Sequence, residues 1–169
     1  MFFNFLGNLA PDELFLLDLR NGEDKSIWIL IPIMGQTPGK RYGHTLSFNR
    51  PYLLIFGGNT GNESANDIWL MNVEKSPFTW VKWEGTGDAP IPRVYHSAAM
   101  SSKGSTNGMM IMFGGRGENG NPLNDMWGFR KHKDGKWDWI RAPGGKEEGG
   151  PIARYQVFNN FYHSFLLWK

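Results

Sequence analysis

Apolar positions along this chain fall in short runs of four to eight residues. Each is rich in aromatic or branched side chains and bounded by Gly, Asn, Asp or Pro. LLIFGG (residues 53–58) and MIMFGG (110–115) are the most apolar, and each ends in a glycine pair. About ten residues after each pair comes NDIW (66–69) or NDMW (124–127), and then a tryptophan-bearing run, TWVKWE (79–84) or KWDWIR (136–141). No stretch sustains the i, i+3, i+4, i+7 apolar spacing of a helix face, so the pattern predicts strands throughout.

These segments form a repeat. Gly57 and Gly114 lie 57 residues apart, and Trp69 and Trp127 lie 58 apart. An arginine signature opens each copy: KRYGH at Arg41, PRVYH at Arg93 and ARYQ at Arg154. Upstream, residues 12–15 and 26–29 match the later half of a copy. Four short strands per period of about 50 residues is the layout of a β-propeller blade. Leu53, Leu54, Ile55 and Phe56 are apolar without alternation, as expected for a strand covered on both faces by neighbouring blades. The chain is therefore expected to be all-β, with about 2.5–3 four-stranded antiparallel blades. They comprise a partial blade (8–40), two full ones (41–92 and 93–153) and the start of another (154–156).

The combination resembles the kelch motif: an apolar strand ending in Gly-Gly, an aromatic strand about ten residues on, then a tryptophan strand. Gly57, Gly58, Trp69 and Trp80 in one copy and Gly114, Gly115, Trp127 and Trp137 in the next are the repeat-defining positions on this reading. The stretches 41–61, 131–144 and 153–156 look like the kelch region of plant and protozoan Ser/Thr protein phosphatases with kelch-like repeats, and KHKDGKWDW is the most distinctive of them. The resemblance implies a non-catalytic interaction or regulatory module, with a metal-dependent phosphatase domain elsewhere in a longer parent. A free-standing kelch scaffold or ubiquitin-ligase adaptor is the alternative. Residues 1–7 and 157–169, rich in Phe, Asn and Leu, depart from the repeat and are expected to lie outside propeller sequence. Such a partial ring exposes blade edges and is expected to self-associate.

Composition narrows the chemistry. With no cysteine, disulfides, thiolate zinc sites, cysteine nucleophiles and the Tyr–Cys radical centre of kelch-type copper oxidases are all excluded. A net charge of +2 argues against a nucleic-acid footprint. No run approaches the ~20 apolar residues of a membrane span, and the first residues make a poor secretory signal, so a cytoplasmic or nuclear location is expected. Asn62 is formally a glycosylation acceptor, which carries weight only with secretion. The four histidines have no metal-ligand spacing, and the metallophosphatase signatures are absent. No catalytic residue, metal or cofactor is therefore assigned.

Residues 115–120 match G-x-G-x-x-G, but the pattern binds a pyrophosphate only where a helix follows the loop. Here a turn and a strand are expected, and the first repeat keeps the glycine pair while losing the pattern. His44 and His96 share a repeat position, which favours packing over catalysis. Arg41, Arg93 and Arg154 recur as well. Each guanidinium either bonds carbonyls of a neighbouring blade or joins a ring of cations facing a phosphorylated or acidic protein partner. Arg116 is expected on a different face or rim. The unlike loops carrying Asn59, Asn62, Glu118 and Asn119 are the remaining candidate contacts.

Overall fold

The computed structural model describes residues 13–143 and 149–156; both divergent ends lie outside this range. Two strands, β1 (Leu14–Asp18) and β2 (Ile27–Ile31), form an antiparallel hairpin. The first full blade consists of β4 (Thr45–Asn49), β5 (Tyr52–Asn59), β6 (Ser64–Asn72) and β7 (Phe78–Lys82), paired in that order and all antiparallel. The short β3 (Ile33–Met34) adds to its outer edge, parallel to β7. The second blade repeats the plan with β9 (Ser97–Met100), β10 (Met110–Phe113), β12 (Met126–Lys131) and β13 (Trp137–Arg141). Between its second and third strands, β11 (Arg116–Gly117) turns back to pair with β8 (Arg93–Val94). Among the described residues there is no α-helix, only two single 3-10 turns.

The all-β expectation of two blades and a half therefore holds, and the unbroken apolar run of β5 has its reason. Leu54 and Phe56 face the second blade, in a core with Ile68, Leu70, Met110, Met112, Trp127 and Phe129. Leu53 faces the opposite way, with Trp69, Met71 and Trp80 against Leu14 and Ile33. Successive side chains of a strand point to opposite faces, so a sheet sandwiched between two neighbours needs apolar residues at every position. Each burial removes apolar surface at roughly 25 cal/mol per Å².

The register reassigns one repeat position. Met71 pairs with Trp80 as Phe129 pairs with Trp139, so Trp139, not Trp137, is the counterpart of Trp80. WVK and WIR are the aligned stretches. Trp137 lies two residues nearer the hairpin turn, half-buried, and stacks on Phe129 with ring centroids 5.0 Å apart.

Candidate functional site

The repeat signatures converge on the inner ends of the blades. Arg93 is fully buried: its Nε donates to the Ile91 carbonyl, and one terminal nitrogen reaches the Gly114 carbonyl at 2.9 Å. Its two terminal nitrogens meet Asp125 at 2.6 and 2.8 Å, a bidentate pair. Asp125 also accepts the indole N–H of Trp127 at 2.7 Å. The first blade repeats this arrangement: Arg41 bonds the Pro38 and Gly57 carbonyls and pairs with Asp67, which accepts the Trp69 indole at 2.6 Å. Burial opposes ionisation of both carboxyls. The hydrogen bonds and charge of the arginine, with the tryptophan hydrogen bond, together outweigh it, holding Asp67 and Asp125 below the usual carboxylate range.

This corrects the ring of surface cations. Arg41 and Arg93 are enclosed and neutralised by Asp67 and Asp125 of their own repeats, and each bonds one carbonyl of its own glycine pair, Gly57 or Gly114, and one from the stretch that precedes its repeat, Pro38 or Ile91. Arg154 is half-buried, its Nε donating to the Ile152 carbonyl.

The glycine pairs have a definite geometry. Gly57 and Gly58 have φ of +62° and +90°, and Gly114 and Gly115 have +64° and +102°, where any other residue is strained. A Cβ on the first glycine would meet the arginine carbonyl of the next unit, at 3.0 Å from Arg93 for Gly57 and 2.5 Å from Arg154 for Gly114. A Cβ on the second would meet the histidine of its own blade, His44 or His96, at 2.8 and 2.9 Å. Both imidazoles are held neutral, chiefly by burial and then by the neighbouring arginine. His44 is pushed down to about 4 and His96 to about 3. His96 Nε2 lies 2.8 Å from the hydroxyl of Thr45, tying the second blade to the first. No helix follows Gly115 among the described residues, and the loop makes turns: Gly117 N–H donates to Asn121 and Gly120 N–H to Gly117.

A further ladder links successive units. Gly43, Tyr95 and Gln156 occupy one repeat position and all have positive φ, +66°, +58° and +58°. Tyr95 N–H donates to the Gly43 carbonyl at 2.8 Å, and Gln156 N–H to the Tyr95 carbonyl at 2.9 Å.

On the exposed side of this ladder lies a cluster that sequence spacing did not assemble. Arg116 pairs with Val94 through the β8–β11 ladder, so it sits beside Tyr95 rather than on a different rim. Its guanidinium carbon lies 5.8 Å from the Tyr95 ring centroid and 5.9 Å from that of Tyr155. Tyr95 in turn contacts Tyr42, with centroids 6.1 Å apart. Asn59 is the counterpart of Arg116 in the first blade: its backbone exchanges two hydrogen bonds with Tyr42, and its side chain caps Gly61 N–H. Asn62 and Glu118 are exposed, as is Asn119, whose side chain accepts from Asn121 N–H. The described residues contain no group of three or more acidic or histidine side chains able to hold a metal, and no helix is long and apolar enough to cross a membrane.

Four-stranded blades with repeating Gly-Gly, Arg–Asp and Trp elements define a propeller module whose loop ends differ between repeats. The chain belongs to the kelch-repeat family: the KLHDC2/KLHL20/DRC7 Kelch-repeats domain matches residues 6–163. It is 35% identical over 149 residues to the serine/threonine-protein phosphatase BSL2 of Arabidopsis thaliana, covering 88% of this chain and 14% of the relative. It is 35% identical over 115 residues to host cell factor of Drosophila melanogaster, and 27% identical over 146 to the dynein alpha chain of the flagellar outer arm of Chlamydomonas reinhardtii. Those matches cover 62% and 86% of this chain, and 7% and 3% of the relatives. The chain thus spans a small part of the relatives it matches.

Proposed function

We propose that this chain is a non-catalytic protein-interaction module, and that it serves a Ser/Thr protein phosphatase of the kelch-like family by recognising partners or substrates or by regulating the attached catalytic domain. The observation that carries the interaction reading is the contrast at the blade ends. The buried Arg, Asp, Trp and Gly-Gly positions repeat, whereas the half-buried positions beside them carry Gly43 and Asn59 in one repeat and Tyr95 and Arg116 in the next. The phosphatase assignment draws support from the 35% identity to a phosphatase relative across 88% of the chain, and from the KHKDGKWDW hairpin. A protein partner, possession of a catalytic domain by the parent, and a cytoplasmic or nuclear setting all belong to this proposal. Long-read sequencing of the transcript tests it: further kelch repeats followed by metallophosphatase signatures are expected. A message that ends without them, or continues into a different domain, would replace the phosphatase assignment with a free-standing scaffold.

A further inference from the structure

We propose that the outer edge of the second blade, strand β13, takes an extended segment of a partner protein as an added parallel strand, joined by backbone hydrogen bonds and one apolar side chain beside Trp137. This rests on the interaction-module reading above and gives it a second surface, on the rim of the blade rather than at its loop ends.

The first blade supplies the precedent. Its outer strand β7 carries β3 along its free edge, with Ile33 opposite Phe78 and Met34 opposite Thr79. Ile33 and Phe78 both pack on the core of Leu53, Trp69, Met71 and Trp80. Trp139 is the counterpart of Trp80, so Trp137 and Asp138 stand where Phe78 and Thr79 meet β3. Among the described residues no strand lies beyond β13, the last of its sheet.

The links between blades explain the difference. Ile33-Met34-Gly35 begins eight residues before Arg41, and Gly85-Thr86-Gly87 begins eight before Arg93. Gly35 and Gly87 share a positive φ, +81° and +107°, so the two links follow one frame. Isoleucine and methionine gain by burying apolar surface against the blade, whereas glycine and threonine have little to bury. The Trp83 ring instead folds back over Gly85, where an added Cβ would fall 1.7 Å from it, and packs on Phe129. The second link therefore leaves its blade edge uncovered.

Unpaired backbone is the next argument. His132 N–H donates to the Lys136 carbonyl, and Ala142 N–H to the Met126 carbonyl. Bonded and non-bonded pairs alternate along an antiparallel ladder, so the backbone groups of Trp137, Trp139 and Arg141 point away from β12. The same count in the first blade, from Trp83 N–H to the Ile68 carbonyl, turns Phe78 and Trp80 toward β3. β13 pairs through five successive positions without a bulge and contains no proline, so neither device blunts its edge. Such an edge is a template for a further strand.

Side chains set the chemistry of the occupant. Trp137 is half-buried, and with Trp83 it flanks Phe129, giving an aromatic step for an aliphatic residue at the place of Ile33. Asp138 already accepts from Arg130 at 3.0 Å, so the incoming strand meets no unpaired charge there. The fitting segment is extended, uncharged, and aliphatic where it faces Trp137.

The test adds a synthetic peptide of residues 30–37, LIPIMGQT, to the whole 169-residue chain and follows amide exchange by NMR. Saturating peptide is expected to slow exchange of the Trp137 and Trp139 amides at least about tenfold, while Asp138 and Ile140, already bonded to β12, change little. The same peptide carrying Ile33→Asp is expected to lose the effect. In the chain, Trp137→Ala and Trp137→Pro both lose the indole, but only proline removes the edge N–H, at a strand's first position where it is tolerated. Proline is expected to weaken binding several-fold beyond alanine, with unfolding cooperative in both. Trp137 and Trp139 amides that exchange unchanged under excess peptide would overturn the proposal, and so would equal binding by the two variants. Either result leaves the interaction reading standing, since that depends on the loop ends.

Discussion

At the inner ends of the two full blades, one backbone course carries two different surfaces. Below the surface the blades agree closely: Arg41–Asp67–Trp69 and Arg93–Asp125–Trp127 have the same donors and acceptors, with the glycine pairs and histidines seated alike. Above it, Gly43 and Asn59 are replaced by Tyr95 and Arg116 at matching positions. Groups that fix the frame cannot change without leaving a buried charge or a steric clash, so they repeat. Groups outside that frame are free to differ, and there the second blade carries side chains its first counterpart lacks.

The largest expected effect comes from breaking the part the blades share. Asp125→Ala leaves Arg93 as a fully buried guanidinium without its counter-ion, and is expected to cost about 3–5 kcal/mol in urea unfolding. Arg93→Ala should cost less, because the carboxylate left behind retains some exposure to water, 16% of its side chain. A larger loss in Arg93→Ala would show that the pair acts chiefly through packing, because arginine vacates the larger buried volume.

Next comes the glycine pair. Gly114→Ala combines a positive φ with a Cβ 2.5 Å from the Arg154 carbonyl, and is expected to cost about 3 kcal/mol. Gly22→Ala provides the contrast: φ is +92°, but nothing lies within 4 Å of its Cβ, so about 1 kcal/mol is expected. If the two variants unfold alike, close approach between successive units is not what selects glycine at position 114.

Acid should weaken both blade ends. Burial pushes His44 down to about 4 and His96 to about 3, against about 6.5 for an unperturbed imidazole. Unfolding therefore takes up protons below about pH 6.5. Stability is full above that value and falls as pH drops toward 4, by up to about 2.7 kcal/mol per pH unit with both histidines contributing. His96→Gln, measured across the same range, should remove roughly half of that slope. An unchanged slope would place the acid sensitivity elsewhere.

The buried frame was largely legible in the sequence, because its residues recur at a fixed period and a repeat is its own control. Gly57 with Gly114 and Trp69 with Trp127 needed no structure, and β5 showed its two-sided burial in an unbroken apolar run. What escaped was pairing across that period. Asp67 and Asp125 stand in plain sight in NDIW and NDMW, yet a partner 26 or 32 residues from its arginine leaves no local mark. The tryptophan register slipped because KWDWIR offers two tryptophans and only the strand ladder chooses Trp139. Arg116 seemed remote from Tyr95 because 20 residues separate them, whereas β11 folds back on β8 and sets them side by side.

The finest test exchanges one half-buried position between the blades. Tyr95→Gly gives the second blade the residue the first carries at Gly43. The backbone is relieved of a strained φ, and one face of Arg116 loses its ring. These effects oppose each other at about 1 kcal/mol apiece, so unfolding should move by less than about 1 kcal/mol. A loss well beyond that would show a tyrosine held for packing, through its contacts with Tyr42 and Arg116. The size of the change thus separates a side chain held for the fold from one the fold can do without, at a position where the backbone itself favours glycine.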